Sequence, residues 1–132
     1  MAGKSGVKIL ADENISPVLV KIIVLLGGGF VESIHRKPEQ GHPDEEWIPV
    51  YASRGYVMLS CDRRQTKSEA VSRVMAACGA RMVYLPSAFA DLRRWDQALW
   101  ILRHWPKIVA RAARMRPGEL VLFGTRGASR RT

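Results

Sequence analysis

Cysteine is scarce in this sequence, and long apolar runs are missing from it. The two cysteines, Cys61 and Cys78, have neither the spacing of a disulfide framework nor that of a zinc site, which favours a reducing compartment over a secreted scaffold. No apolar run approaches the ~20 residues that a membrane span requires, and residues 1–6 lack the apolar core of a signal peptide. We therefore expect a cytoplasmic protein with no membrane association.

Acidic residues are also few. Twelve Asp and Glu stand against 21 Lys and Arg, which gives a net charge of +9. Ten basic residues but only three acidic ones follow residue 90. A basic surface attracts phosphate backbones, which makes RNA a candidate partner, although a surface tuned for solubility explains the charge alone equally well. The length of 132 residues, 47% of them hydrophobic, predicts one domain over residues 1–132, with a disordered basic tail at 124–132.

Short apolar runs alternate along the chain with longer amphipathic segments. The runs predict strands at 7–11, 30–34, 56–61, 82–85 and, at the edge of the sheet, 120–123. The longer segments predict helices at 16–26, 44–54, 66–78 and 91–113. Thr66 and Glu69 fit a capping box at the start of the third helix, and Pro49 predicts a kink or a broken first turn in the second. The alternation predicts an α/β fold with three layers: a mostly parallel central sheet and helices on both of its faces.

The few carboxylates of the first half are concentrated at three points. Asp12 and Glu13 follow the first strand, Asp44 and Glu45 open the second helix, and Asp62 follows the third strand. Ligands of open α/β sheets bind beyond the carboxyl ends of the strands, and oxygen ligands of this kind suit Mg²⁺ or Mn²⁺. The three points therefore predict a metal site that includes Asp12, Asp44 and Asp62. The competing interpretation is that Asp12 and Asp44 only cap helices.

Three motifs resemble those of the PIN-like nucleases, and most closely the branch of VapC-type toxins from toxin–antitoxin modules. The motifs are Ile9-Leu10-Ala11-Asp12-Glu13-Asn14, Asp44-Glu45-Glu46-Trp47-Ile48 and Leu59-Ser60-Cys61-Asp62-Arg63-Arg64. The resemblance implies a PIN-like fold and a Mg²⁺- or Mn²⁺-dependent endoribonuclease whose acidic residues correspond to Asp12, Asp44 and Asp62. It also implies a cognate antitoxin as a partner.

This sequence departs from the family pattern at one acidic position. Typical PIN domains carry a further Glu on a helix between the first two acidic positions, whereas the candidates here are Glu32, on a predicted strand, and Glu39, in a predicted loop. Either Glu13 or Glu45 takes that role, or the site has fewer acidic residues than is usual in the family.

Basic residues near the acidic points are candidates for binding substrate phosphates. Arg63, Arg64 and Lys67 flank Asp62, and Arg36 and Lys37 lie in the loop before Asp44. The alternative for each of them is an ordinary charged surface residue.

Two other functions compete with the nuclease. A receiver-like phosphoacceptor domain also places acids after its first and third strands, but it requires a Lys after the fifth strand, and the last Lys of this chain is Lys107. A non-catalytic module that binds nucleic acid or a protein partner fits the basic C-terminal half equally well. Metal binding or cleavage distinguishes this module from a nuclease.

The longest predicted helix is apolar on two faces. One face carries Leu92, Trp95, Leu99 and Leu102, and the other carries Ala98, Ile101, Trp105 and Ile108. Such a helix is buried on two sides, on one by the sheet and on the other by the C-terminal segment, a second copy of the chain or a different protein. We therefore expect a homodimer or a toxin–antitoxin complex at this helix, with Trp100 and Trp105 at the interface.

Overall fold

The computed structural model of the chain describes residues 6–35 and 37–131. The strands are β1 (Lys8–Ala11), β2 (Phe30–Ser33), β3 (Tyr56–Ser60), β4 (Arg81–Tyr84), β5 (Leu120–Phe123) and β6 (Ser129–Arg131). The helices are α1 (Pro17–Leu25), α2 (Asp44–Ser53), α3 (Glu69–Cys78) and α4 (Arg94–Ala112), and short 3₁₀ helices span Arg63–Lys67 and Ser87–Asp91.

The strands form a single six-stranded sheet in the order β2-β1-β3-β4-β5-β6. The first five strands are parallel, and β6 pairs antiparallel with β5. The chain moves outward from β1 in one direction to β2 and in the other to β3. The carboxyl ends of β1 and β3 therefore meet at the point where the strand order reverses, which is where sheets of this type form their binding crevice.

Both faces of the sheet are covered, because parallel strands are apolar on both sides. On one face, α1 and α4 contribute Leu19, Ile23, Ile101 and Ile108 to a core shared with alternate strand residues such as Ile9 and Val57. On the other, α2 and α3 contribute Ile48, Tyr51 and Met75, which pack on Leu10 and Met58. The predicted α/β fold with helices on both faces of a mostly parallel sheet is confirmed.

Two helices begin later than the sequence predicts. The third starts at Glu69 rather than Thr66, because the side chain of Ser68 accepts the Val71 N–H and caps it. Thr66 instead lies in the preceding 3₁₀ helix, and its hydroxyl donates to the Arg63 carbonyl. The longest helix starts at Arg94, after the second 3₁₀ helix.

Proline does not interrupt the helices that contain it. Helix α2 continues through Pro49 and α4 through Pro106. The predicted broken first turn of α2 is therefore wrong, whereas the alternative of a kink at Pro49 stays a prediction. Helix α2 packs closely on the sheet, with Trp47, Ile48 and Tyr51 all buried, and these contacts offset the hydrogen bond that Pro49 cannot donate.

The C-terminal segment differs from its prediction as well. Residues 124–131 do not form a disordered tail, because they turn back at Gly124–Gly127 and place β6 beside β5. Strand β5 is consequently an interior strand and β6 forms the edge of the sheet. None of the helices within residues 6–35 and 37–131 is long and apolar enough to cross a membrane.

Candidate functional site

A small pocket of about 110 Å³ lies where the carboxyl ends of β1 and β3 meet the N-terminus of α2. Three of its lining residues are Asp12, Asp44 and Asp62, each supplied by a different segment of the chain. The remaining lining residues are Glu13, Asn14, His42, Trp47 and Gln65. The structure thus brings together the three carboxylates that the sequence predicts to be neighbours.

Asp12 is the most deeply placed carboxylate of this pocket. It is 2% exposed, and its backbone N–H donates to the Leu59 carbonyl, which extends the pairing of β1 with β3 by one residue. Its Oδ1 accepts the Asn14 N–H at 3.0 Å, whereas its buried Oδ2 has no hydrogen-bond partner among the described residues. Burial raises the pKa of Asp12 from 3.8 to about 6, although polar groups of Ser60 and Asn14 partly oppose the rise.

Asp44 is held by hydrogen bonds to both of its oxygens. The indole Nε1–H of Trp47 donates to Oδ1 at 3.0 Å, and the Gln65 amide donates to Oδ2 at 3.1 Å. The Tyr84 hydroxyl donates in turn to the Gln65 carbonyl oxygen at 3.1 Å, which fixes the orientation of that amide. Pro43, rather than Asp44, occupies the N-cap position of α2. The carboxylate of Asp44 is therefore not a helix cap and is directed by its neighbours.

Asp62 has a different environment from Asp12. Its Oδ1 accepts both the Arg64 backbone N–H and the guanidinium Nε at 2.8 Å, and its Oδ2 accepts the guanidinium Nη2 at 3.1 Å. These bonds to Arg64 hold the pKa of Asp62 below its usual value. Asp62 is thus a charged carboxylate that already has a counterion.

The three carboxylates supply suitable donors for a hard divalent cation but do not form a ready-made cage. Within residues 6–35 and 37–131, no three Asp, Glu, His or Cys side chains are close enough together to hold an ion as they stand. Asp62 is instead paired with Arg64. The buried Oδ2 of Asp12 nevertheless has no hydrogen-bond donor among the described residues, and buried oxygens without partners are rare. The oxygen-rich pocket therefore fits a hard divalent cation, which Asp12 and Asp44 would hold and which would compete with Arg64 for Asp62.

The two glutamates expected to replace the family's further acid do not occupy equivalent positions. Glu13 borders the pocket, but its carboxylate accepts the Gly41 N–H and its carbonyl lies 3.2 Å from His35 Nε2, so it ties down the loop before α2. Glu45 is exposed on α2 and does not line the pocket. His42 lines the pocket, and its Nδ1 lies 3.3 Å from Glu46 Oε2.

A second, larger pocket of about 460 Å³ adjoins the first, because Asn14 and Asp62 line both. Its basic residues are Arg63, Arg64 and Lys67. Arg64 and Lys67 are exposed, and the Arg64 side chain retains 88% of its accessible surface. These two side chains can reach a phosphate that enters this pocket.

The other predicted phosphate ligands are less available. The Arg63 guanidinium donates to the carbonyls of Leu85 and Phe123 and so joins the ends of β4 and β5. Lys37 forms a 2.7 Å ion pair with Glu32 and does not line either pocket. Arg36 lies outside the described residues.

Comparison with family models matches residues 7–87 to the PIN-like domain. The match covers more than half of the chain and includes all three aspartates. The chain belongs to the PIN-like domain family. The matching description does not single out the VapC-type branch. No curated protein and no solved structure gives a significant match.

Membership of the PIN-like family supports a nuclease-type or nucleic-acid-related function, since PIN domains are generally nucleases that use divalent metals. It also weighs against the receiver-like interpretation. The matched span ends at Ser87, so β1 to β4 belong to the family region, whereas α4, β5 and β6 lie beyond it.

Sequence reasoning missed the residues of this PIN-like site that orient Asp44. Gln65 and Tyr84 are buried polar side chains whose roles depend on a hydrogen-bonded chain between distant segments. Trp47 had a detectable signal, because a Trp three residues after Asp44 on a helix lies on the same face as the aspartate. Its indole nitrogen is the donor to Asp44.

Proposed function

We propose that this PIN-like protein is a Mg²⁺- or Mn²⁺-dependent endoribonuclease that acts on single-stranded or looped RNA. The observation that carries the proposal is the position of Asp12. Its carboxylate is 2% exposed, has one oxygen without a partner and shares a pocket with Asp44 and Asp62. A buried carboxylate in this state is costly without a cation, because the pocket supplies further negative charge rather than a counterion for Asp12.

Asp12, Asp44 and Asp62 would hold the metal, with Trp47 and Gln65 keeping Asp44 in its orientation. Such a metal would activate water and stabilise charge on the phosphodiester under attack. Arg64 and Lys67 would position the substrate by binding phosphate oxygens in the adjoining pocket. The excess of basic residues near the carboxylates supports RNA as the substrate, since it attracts a polyanion to an otherwise acidic pocket.

A cleavage assay tests this proposal. Labelled single-stranded RNA should be cut in Mg²⁺ or Mn²⁺ and remain intact in excess EDTA, and Asp44→Asn should cut far more slowly. Glu45→Gln is the control, because Glu45 neighbours Asp44 in sequence but lies outside the pocket. Undiminished cleavage in EDTA contradicts the metal mechanism. RNA binding by the wild type without cleavage in either metal would favour the non-catalytic binding module instead.

We further propose that the protein is a toxin acting in the cytoplasm and is neutralised by a cognate antitoxin docked on α4. The exposed residues at the start of this region support a docking surface, since Leu92 is 38%, Trp95 77% and Leu99 56% exposed. Trp95, rather than the predicted Trp100 and Trp105, is therefore the tryptophan that we expect at the interface. Trp105 is 4% exposed and donates to the Gly28 carbonyl, and Trp100 donates to the Thr125 carbonyl.

Charge favours an acidic antitoxin over a second copy of the chain. The adjoining pocket of about 480 Å³ includes Arg103 and Arg126, with Asp96 as its one acidic lining residue. In a dimer the positive charges of the two copies would repel each other, whereas an acidic amphipathic segment would complement them.

Growth arrest measures both parts of the toxin proposal. Wild-type expression should arrest a bacterial host and Asp44→Asn should not. Coexpression of the adjacent gene product should restore growth for the wild type but not for Trp95→Glu. Equal growth with wild type and Asp44→Asn contradicts the toxin role. A dimer in light scattering that Trp95→Glu dissociates would assign the surface to a second copy instead.

A further inference from the structure

We infer that the site continues beyond the carboxylates as a groove that binds an extended single strand of nucleic acid and ends at Arg130 on β6. This inference rests on the proposed function for the chemical class of the ligand. It adds the course of the strand and a residue that binds it far from the cleavage point.

Three adjoining pockets define this strand-end groove. The acidic pocket and the pocket of Arg64 and Lys67 share Asn14 and Asp62. The latter shares Arg63 with a third pocket of about 380 Å³, which is lined by Leu122, Phe123, Gly124, Ala128, Ser129 and Arg130 as well. The groove therefore passes in series over the carboxyl ends of β3, β4 and β5. Three strand spacings from β3 to β6 give it a length of about 14 Å.

The charge along the groove changes from acidic to basic. Among the described residues that line the second and third pockets, Asp62 is the single carboxylate, and it lies at the junction with the acidic pocket. The basic side chains of these two pockets are Arg63, Arg64, Lys67 and Arg130. A metal at the acidic end and cations along the remainder would match the regular negative charge of a phosphodiester backbone.

Arg63 forms part of the groove without being its main phosphate ligand. Its guanidinium is directed to the Leu85 and Phe123 carbonyls, which locks the ends of β4 and β5 together beneath the groove. Its charge remains, but its donors are largely used. Direct phosphate contacts are therefore left to Arg64 and Lys67 near the carboxylates and to Arg130 at the far end.

The register of β6 directs Arg130 and Arg131 to opposite faces of the sheet. Arg130 pairs with Leu122, and both line the third pocket. Arg131 pairs with Val121, and its guanidinium lies 3.7 Å from the carboxylate of Glu119, which is also bound by Arg111 of α4. Two consecutive, exposed arginines thus differ in that only Arg130 faces the groove. Both lie beyond residue 87, so the far end of the groove is built by residues outside the family match.

Binding of a fluorescent 12-nucleotide single-stranded RNA, measured by anisotropy in EDTA at several salt concentrations, tests the groove. Arg130→Ala should raise the Kd about three- to tenfold and reduce the slope of log K against log salt by about 0.7, as loss of one phosphate contact requires. Lys67→Ala should have a similar effect. Arg131→Ala removes the same charge on the opposite face and should leave both quantities close to wild type. Thermal melts of all three variants establish that they are folded.

The outcomes separate the groove from the nuclease. Three outcomes would overturn the groove. They are an equal loss of RNA affinity in Arg130→Ala and Arg131→Ala, no loss of affinity in Arg130→Ala, and no binding of the oligonucleotide by the wild type. An Arg130-selective loss in a protein that never cleaves RNA would support the groove and reject the proposed nuclease. RNA cleavage by a protein that shows no Arg130-selective loss would reject the groove alone.

Discussion

The ends of β1 and β3 are neighbours in the sheet and look alike in sequence, yet they hold their aspartates in opposite electrostatic states. Asp12 is buried, lacks a partner on Oδ2 and has its pKa raised to about 6. Asp62 binds the exposed Arg64, and its pKa is lowered. The main cause of the difference is burial, which raises the pKa of Asp12, whereas the Arg64 guanidinium two residues downstream of Asp62 lowers the pKa of that carboxyl.

If the proposed metal binds, the comparison predicts opposite consequences at the two aspartates. Metal binding would relieve the buried charge of Asp12, while at Asp62 it must displace Arg64. The released Arg64 would then be free to bind substrate phosphate. Under the proposed function, the end of β1 would mainly bind the metal and the end of β3 would also supply a cation for the substrate.

The largest effect is expected from replacing the two aspartates in turn. Asp12→Asn should reduce metal-dependent RNA cleavage by about 10²- to 10³-fold, because it removes the most buried ligand and the charge stabilisation that depends on it. The reduction in cleavage rate caused by Asp62→Asn should be about ten times smaller than that caused by Asp12→Asn, since the Asp62 carboxylate is already bound by Arg64. Initial rates at saturating Mn²⁺ give the ranking. A larger loss for Asp62→Asn than for Asp12→Asn would reverse the comparison.

The pH dependence of stability should differ in sign between the two sites in the absence of metal. Since the folded-state pKa of Asp12 lies above its ordinary 3.8, its stabilising contribution is complete below pH ~4 and is lost as the pH rises through about 6. Replacement by Asn should therefore stabilise the metal-free protein at pH 7.5 relative to pH 4 by up to about 3 kcal/mol. The folded-state pKa of Asp62 is lowered, so its contribution is present above pH ~4 and lost in acid.

Urea unfolding of both Asn variants and the wild type from pH 3.5 to 7.5 tests this difference. Relative to the wild type, the free energy of unfolding of Asp12→Asn should increase as the pH rises, and that of Asp62→Asn should decrease. Parallel curves for the two variants would show that their environments are equivalent.

A smaller effect is expected at Arg64. Arg64→Ala should free Asp62 and tighten Mn²⁺ binding several-fold, while it weakens RNA binding through the loss of a phosphate contact. Lys67→Ala should weaken RNA binding to a similar degree without changing Mn²⁺ affinity, because no contact joins Lys67 to Asp62. Calorimetric titration with Mn²⁺ and anisotropy with RNA provide the two readouts. Unchanged Mn²⁺ affinity in Arg64→Ala would mean that the ion pair does not compete with metal.

The smallest effect on the cleavage rate is expected at Tyr84, which forms no hydrogen bond with Asp12 or Asp62 at the two strand ends. Tyr84→Phe removes the hydroxyl that orients Gln65 and, through it, Asp44. One buried hydrogen bond contributes about 0.5–1.5 kcal/mol, so cleavage should fall less than about tenfold while the fold is retained. Gln65→Leu, which deletes the direct donor to Asp44, should cost more in the same RNA assay. Equal rates for the wild type and Gln65→Leu would remove this hydrogen-bonded chain from the site.

The sequence predicts most of the fold because the buried parallel strands are continuous apolar runs with helices between them. It fails at Ser129–Arg131, because three polar residues carry no strand pattern and their pairing depends on a neighbour that the turn supplies. It also misplaces the start of α3, where Thr66 and Ser68 are both acceptable caps and the turn that begins at Asp62 decides between them.

The gathering of Asp12, Asp44 and Asp62 follows from strand ends that meet at one edge, which sequence logic can anticipate. Their charge states depend on partners such as Arg64, on burial and on the bare Oδ2 of Asp12, and none of these has a sequence signature. Arg63 illustrates the same limit. It resembles its neighbour Arg64 in sequence, but the carbonyls that engage it come from the ends of β4 and β5.

Strand β6 has a consequence for aggregation. Without it, β5 would present the free hydrogen-bonding groups of Leu120–Phe123, an apolar segment suited to pairing with strands of other molecules. The short, exposed Ser129–Arg131 replaces that edge with one that carries two adjacent positive charges. A chain shortened at residue 123 would consequently be prone to edge-to-edge association, and the charges that attract a phosphate backbone in the intact protein also repel another copy of the sheet.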